Sequence, residues 1–500
     1  MGYQNPVIPG FYPDPSVCRV GEDYYLVNSS FEYFPGVPIF HSRDLIHWRQ
    51  IGHCLTRPSQ LPMDGAASSQ GIYAPTIRHH QGRFYVVTTN VSGGGHFYVT
   101  AANPAGPWSE PIWVDGGGID PSLFFDWDGK VYFTSTAPDG FSPGIYQSEI
   151  NIATGRRLTE PACIWKGTGG MHPEGPHLYR IDGIYYLLIA EGGTEHGHTV
   201  TIARSQGPWG PFVGCPHNPI LTHRSLPSPI QATGHADLVQ AHDGTWWLVC
   251  LGIRPVYYPP RHHLGRETFL APVTWTSDCW PVVGHNGTIA LEMDLPTLPL
   301  HPWEAAPDCD DFDSATLGLA WNFRRNPVDE DWSLTARPGW LRLNGPARGP
   351  GFVGRRQQHF DCRAAALLDF NPSVDGEEAG LTAIMNEEFH YDLAVTREGG
   401  RRCLIFRRTL AGLSKVEYCA PLPSGLVELI VTADRHTYRF AYRVDGGSPV
   451  PFGEAACCYL ATEVAGGFTG VYLGVYATGN GRRSSTPADF DWIAYTWAWS

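Results

Sequence analysis

DPSVCRVGEDYYLV, residues 14–27, reads as a short strand, a Gly-centred turn and an aromatic strand, and the chain writes the same sentence four more times. The other copies are APTIRHHQGRFYVV (74–87), DPSLFFDWDGKVYF (120–133), EGPHLYRIDGIYYL (174–187) and HADLVQAHDGTWWL (235–248). The distance from leader to aromatic is nearly constant. It is 11 residues from Asp14 to Tyr25 and from Ala74 to Tyr85, and 12 from Asp120 to Tyr132, Glu174 to Tyr186 and His235 to Trp247. Successive leaders lie 60, 46, 54 and 61 residues apart. A strand–turn–strand unit recurring at such intervals is the signature of a β-propeller. Rotation about a common axis brings equivalent positions together. Asp14, Asp120, Glu174 and His235 are therefore expected to meet in one pocket, although 221 residues separate the first from the last.

The rest of the chain is organised around that unit. Five hundred residues exceed one ordinary core, so two domains are expected. A proline-rich stretch, LEMDLPTLPLHPWEAAP (291–307), separates the repeats from short alternating strands such as WLRL, LIFRRTL, VELIVTA and YRFAYRV. The first part, 1–300, reads as the propeller, closed by its two ends (1–12 and about 265–295). The second, 310–500, reads as a β-sandwich into which ADFDWIAYTW (488–497) returns as a core strand. Helix-length amphipathic patterns are absent. Fifty-seven glycines and 43 prolines suit an all-β chain with many tight turns. The formal charge of −14 argues against nucleic acid and anionic membranes as partners, since both want a basic face. No apolar stretch reaches bilayer-spanning length. The first residues carry no basic-then-apolar leader, and the twelve cysteines have no zinc spacing. Free thiols in a reducing, cytoplasmic setting are the expectation, or a secreted protein if a leader has been removed.

Asp-Pro by itself is turn chemistry. A turn does not explain why a third carboxylate, Glu174, occupies a matching place in another repeat. Three acids at a low-dielectric axis repel one another, so at least one should hold its proton while another ionises, which suits general acid–base work. Aromatic faces for a sugar ring are available at Phe31, Phe34, Tyr73, Trp127 and Trp165. Arg266, in HHLGRET, needs a carboxylate or a polar ligand if buried. His235 is either a hydrogen-bonded axial group or a metal ligand.

FYPDPS, GIDPSLFFD and PEGPHLY resemble the three acidic motifs of glycoside hydrolase family 43, and HSRDLIHW, GIYAP, GHADLV and LGRET follow in the expected order. The second part, from DDFDS through GGFTG to ADFDW, resembles the concanavalin-like sandwich of that family's β-xylosidases. The resemblance implies an all-β chain, a five-bladed β-propeller followed by a concanavalin-like β-sandwich. It also implies an inverting exo-hydrolase that releases xylose from β-1,4-xylo-oligosaccharides, with α-L-arabinofuranosidase activity beside it. Arabinofuranosidase as the main activity on arabinoxylan fragments, or a propeller that binds carbohydrate without cleaving it, are the alternatives. By resemblance Asp14 is the general base, Glu174 the general acid, and Asp120 orients Glu174 and holds up its pKa. Such a pair stands about 6.5–9.5 Å apart to admit a water. Phe31, Tyr73, His235 and Arg266 would contact the sugar, and Phe468 of GGFTG would narrow the pocket. Tyr73 departs from the tryptophan of the related GIWAP motif. Some similar propellers hold Ca²⁺ near the axis through one histidine and waters, which makes His235 the candidate ligand. Homo-oligomers are common among similar enzymes.

Overall fold

The computed structural model describes residues 2–294 and 297–497. The chain falls into two compact units: residues up to Pro255 with Arg266–Trp303, and Val256–Gly265 with the chain from Glu304 onward. The boundary differs from the expected 1–300 span, because 256–265 belongs to the second unit. There Glu463 accepts the backbone N–H and ring Nδ1 of His262, Thr462 N–H donates to His262 O, and Val471 N–H donates to His263 O.

The first unit contains five antiparallel sheets, each begun by one of the repeated sentences. Blade 1 runs Ser16–Val20, Asp23–Val27, Gly36–Ser42, Arg49–Leu55, and blade 2 runs Thr76–His80, Arg83–Asn90, Gly95–Ala101, Ile112–Val114. Blade 3 is Ser122–Phe125, Val131–Thr136, Ile145–Glu149, Ala162–Trp165, and blade 4 is Glu174–Ile181, Ile184–Glu191, Thr199–Ser205, Val213–Gly214. Gln231–Gln240, Trp246–Ile253, Glu267–Trp275 and Pro281–Val283 make blade 5. The first strand of each blade packs on the first strand of the next, and that of blade 5 on that of blade 1, so the ring is closed.

Two-residue turns close the inner hairpins of blades 2 and 4. Gln81-Gly82 and Asp182-Gly183 have φ of 49° and 76°, and 49° and 84°, the paired left-handed geometry that matches strand twist in a two-residue hairpin. Second strands such as Trp246–Ile253 are buried on both faces because blades stack against blades, which is why they read as continuous apolar runs. Leu123, Phe133, Val87 and Tyr98 fill one such seam, and Ile145, Leu178 and Leu187 the next. The two ends of the unit are tied as expected. Gly2–Gln4 pairs with Glu292–Asp294, Ile8 bridges Thr268, and Asn5 Nδ2 donates to Leu270 O at 2.9 Å.

The second unit has two antiparallel sheets. One is centred on Ala488–Trp497, which pairs with Cys362–Asp369 on one side and Leu341–Leu343 on the other, so the closing sequence is an interior strand. The other orders Gly351–Arg356, Tyr472–Thr478, Glu378–Asn386, Phe389–Glu398, Arg401–Leu410 and Leu413–Pro421. Among the described residues the one α-helix is Thr462–Ala465. All twelve cysteines are free, and Cys163, Cys279, Cys309 and Cys419 are exposed.

Candidate active site

Cross-strand pairing shows which residues share a level on the propeller axis. Tyr25, Tyr85, Tyr132, Tyr186 and Trp247 face Cys18, Arg78, Phe124, Tyr179 and Val239. Four residues before these lie Asp14, Ala74, Asp120, Gly175 and His235. The level position of blade 4 is thus Gly175, and Glu174 stands one residue earlier, a correction to the equal register expected for it. An irregularity between Glu174 and His177 absorbs the extra residue. The 12-residue spacings of blades 3 and 5 have another cause, the longer turns closed by Phe125–Val131 and Gln240–Trp246.

Four of the five level positions take left-handed backbone: Asp14 (φ 53°), Asp120 (55°), Gly175 (57°) and His235 (43°). For the three non-glycine residues this costs roughly 1–2 kcal/mol each. Its repetition at one level, beside buried acids, is the pattern of a functional site. A side chain at 175 would meet the His235 ring at 2.9 Å, so the fourth blade can offer its acid only from the neighbouring position.

The acids are in different electrostatic states. Asp14 is buried, which alone would raise its pKa, but Arg266, His235 and the Ser29 hydroxyl outweigh burial and hold it below the usual carboxylate range. Arg266 Nη1 reaches Asp14 Oδ1 at 3.0 Å, and Ser29 Oγ donates to Oδ2. Burial, then the charges of Glu174 and Asp14, push Asp120 well up. Burial and then Asp14 raise Glu174 to about 7. Asp120 and Glu174 repel each other when both ionise, so between them they retain a proton at neutral pH. His235 Nδ1 lies 3.8 Å from Asp14 Oδ1 and 4.0 Å from Asp120 Oδ2, and burial lowers its pKa, so the ring is neutral.

Arg266 is buried one residue before the strand Glu267–Trp275 and also donates to Thr194 Oγ1 at 3.0 Å. Its guanidinium lies 5.6 Å from the Phe31 ring centre, and Phe31 packs on Tyr73 at 5.2 Å and on Phe11 at 5.7 Å. Phe31 is fixed by a two-way backbone bridge to Ile72. Base, arginine and aromatic wall thus form one constellation. Phe34 is buried beside Tyr33, Trp165 ends the outermost strand of blade 3, and Trp127 lies at the turn end of the inner hairpin, so neither tryptophan stands with the acids. Phe468 lies in the second unit, 38% exposed.

Several participants carried no repeat signal. His198 faces Glu174 Oε1 at 3.8 Å through Nε2. Its Nδ1 lies 3.2 Å from Ala232 O, which can only accept, so Nδ1 carries the proton and Nε2 is a lone pair turned to the acid. Burial pushes its pKa down to about 3. Asn28 donates to Tyr12 O and Pro13 O and so holds the turn that presents Asp14. One level along the axis is a second charged set. Asp237 accepts from Arg78 Nη1 (2.8 Å), Ser16 Oγ (2.6 Å), Val17 N–H (3.0 Å) and Tyr179 Oη (2.5 Å). Arg78 Nη2 meets His177 Nδ1 at 2.9 Å. The side chains of this set sit two or four places after the level positions 14, 74, 175 and 235, the spacing that returns a strand side chain to the same face, and Val17 contributes only its backbone N–H. That parity was the available signal.

Asp120, Glu174 and His235 each offer one ligand atom, all within 4.8 Å of one another. Two carboxylates and an imidazole are a sparse set for Ca²⁺, which prefers six to eight oxygens. They fit only an ion completed mainly by water.

Residues 3–281 match the model of glycosyl hydrolases family 43, and 309–496 match that of the beta xylosidase C-terminal concanavalin A-like domain. A non-reducing end alpha-L-arabinofuranosidase from Bacteroides ovatus is 49% identical, over 99% of this chain and 94% of its own. A xylosidase/arabinosidase from Butyrivibrio fibrisolvens is 41% identical over 98% of both chains. The crystal structure of a xylan beta-1,4-xylosidase from Bacillus halodurans superposes with a TM-score of 0.94 at 38% identity, covering 99% of this chain and 100% of that one.

Proposed function

The chain belongs to glycosyl hydrolases family 43 and is a glycoside hydrolase, and from that premise we propose that it removes single terminal pentosyl residues with inversion. The observation that carries the reading is the split between an ionised Asp14 and a proton-holding Asp120–Glu174 pair gathered at the axis. In this scheme Asp14 takes a proton from a water as that water attacks the anomeric carbon. Arg266 and Ser29 keep Asp14 ionised and aimed. Glu174 gives its proton to the departing glycosidic oxygen, with Asp120 holding its orientation and resisting its ionisation. Asp14 ends protonated and Glu174 ionised, and exchange with solvent resets both. The wall of Phe31 and Tyr73 would receive the terminal ring, and Arg266 its hydroxyls. Ca²⁺, if held, would sit at His235 through waters and supply a fixed positive field.

Terminal xylose of β-1,4-xylo-oligosaccharides is the proposed main substrate, with α-L-arabinofuranosides cleaved by the same acids. The 49% identical arabinofuranosidase supports the reverse weighting. Kinetics on 4-nitrophenyl β-D-xyloside and α-L-arabinofuranoside rank the two. An NMR time course on the β-xyloside tests the stereochemistry: α-xylose appearing first supports inversion, and β-xylose appearing first overturns it.

A further inference from the structure

Trp127, offered by the sequence as a sugar platform, is 76% exposed and far from the acids. It lies seven residues beyond Asp120, at the turn end of the blade 3 hairpin, on the order of 20 Å along the strand. A cleft of about 460 Å³ opens there, lined by His80, Phe124, Phe125, Trp127 and Arg180, with Asp126 and Gly183. His80, Trp127 and Gly183 sit at the turn ends of blades 2, 3 and 4, so the cleft is on the face opposite the catalytic level.

The cleft is built rather than incidental. Asp126 accepts from Trp127 N–H at 2.8 Å and from Tyr185 Oη at 2.8 Å, while its own backbone closes the turn with Lys130 and Gly129. Trp127 is thereby held out on a fixed turn. The Arg180 guanidinium lies 4.9 Å from the Trp127 ring centre and has no ion pair or hydrogen bond among the described residues. His80 lies flat on Phe125, 4.4 Å away at 9°, with neither ring nitrogen hydrogen-bonded among the described residues. The surface therefore presents a largely exposed indole with the Arg180 guanidinium over its ring, and the N–H groups of Arg180 and the ring nitrogens of His80 are left without hydrogen-bond partners among the described residues. Asp126 beneath them has both oxygens engaged. A saturated sugar ring has the matching form, an apolar C–H face with a rim of hydroxyl acceptors. The net charge of −14 disfavours an acidic ligand.

We propose that this cleft is a second, non-catalytic carbohydrate site that holds a neutral pentosan chain on Trp127, with Arg180 and His80 bonding its hydroxyls. The identity of the sugar rests on the activity proposed above, whereas the existence of the site does not. Such a site would keep the enzyme on a polymer between cleavages.

The test is native gel electrophoresis of the full chain, made inert by Glu174→Gln, in gels containing soluble neutral arabinoxylan or, as control, dextran. The expected result is retardation in arabinoxylan alone, with the apparent dissociation constant raised at least about fivefold by Trp127→Ala and less by Arg180→Ala. Trp127→Phe should restore most of the binding, and thermal melts should match the parent. In the active background Trp127→Ala should leave turnover of small aryl pentosides unchanged and slow release from polymer. Equal retardation with and without Trp127, no retardation at all, or equal retardation in dextran would each overturn the site. Aryl pentoside hydrolysis reads the proposed activity separately, so the loss of one reading is distinguishable from the loss of the other.

Discussion

Two levels of the same axis, two residues apart on the same inner strands, treat buried charge in opposite ways. At the level of Asp14, Asp120 and His235, three carboxyls share one guanidinium, and the contacts between His235 and the acids are 3.8 and 4.0 Å, too long for hydrogen bonds. At the level of Asp237, one carboxylate receives a guanidinium, two hydroxyls and a backbone N–H, all within 3.0 Å. Burial penalises ionisation equally at both. The neighbours decide the outcome: Arg78 and the surrounding donors drive Asp237 well below the usual carboxylate range, while at Asp120 and Glu174 the like charge of the neighbouring acids adds to burial and drives them above it. A buried acid with its donors complete is a fastener. One left short of donors keeps a proton it can give away.

The largest effects should separate these roles. Glu174→Gln and Asp14→Asn should each cut turnover on aryl pentosides by on the order of 10²–10⁴-fold while melting and circular dichroism stay near those of the parent. Asp237→Asn or Arg78→Met should do the reverse. Each strands one half of a buried pair, a loss of about 3–5 kcal/mol, visible as a lower midpoint in urea, while the enzyme that remains folded turns over at a comparable rate. A stable but inert Arg78→Met would erase the distinction between the levels.

A smaller effect tests how the proton is held. Glu174 must be protonated to act, and its pKa is raised to about 7, so kcat/KM should fall as pH rises through about 7. Repulsion within the Asp120–Glu174 pair is reciprocal, so removing one charge weakens the hold of the other group on its proton. Asp120→Asn should therefore move the alkaline limb to lower pH, in addition to slowing the reaction. An unmoved limb would mean that Asp120 orients Glu174 without supporting its protonation. The acid limb belongs to Asp14. Arg266 is the first of the groups that lower its pKa, so Arg266→Met should raise the limb toward neutral pH and raise KM. A KM change with no pH shift would leave Arg266 as a sugar contact only.

The propeller was legible because rotation repeats its sentence, and the apolar runs and Gly turns mark each hairpin. Asp14 and Asp120 were legible for the same reason. Glu174 was found at the wrong register, since a leader-to-aromatic count cannot tell an extra strand residue from a longer turn. Asn28 and His198 reach the site from loop positions, one just after the second strand of blade 1 and the other just before the third strand of blade 4, where no period constrains them. Asp237 and Arg78 hid in plain alternation. The excursion of 256–265 into the second unit was not visible, because its partners Glu463 and Val471 lie some 200 residues away and no local pattern encodes such pairing.

The smallest expected effect concerns the cation. A Ca²⁺ ion beside His235 would join Asp120 and Glu174 in the one cluster, among the described residues, whose ligand atoms lie within 4.8 Å of one another. Positive charge favours the ionised forms of both acids, so bound Ca²⁺ should pull the alkaline limb to lower pH, and chelation should return it upward toward 7. The site competes with the proton that catalysis needs, and its protein ligands are few, so binding should be weak and the rate change near neutral pH only a few-fold. The measurement is a pH–rate profile of the chelator-treated enzyme with and without millimolar Ca²⁺, repeated on His235→Ala. A limb that moves down with Ca²⁺ in the parent and stays put in the variant places the ion at His235. A profile indifferent to Ca²⁺ in both leaves His235 as a neutral ring wedged against Gly175, acting on Asp14 and Asp120 by position alone.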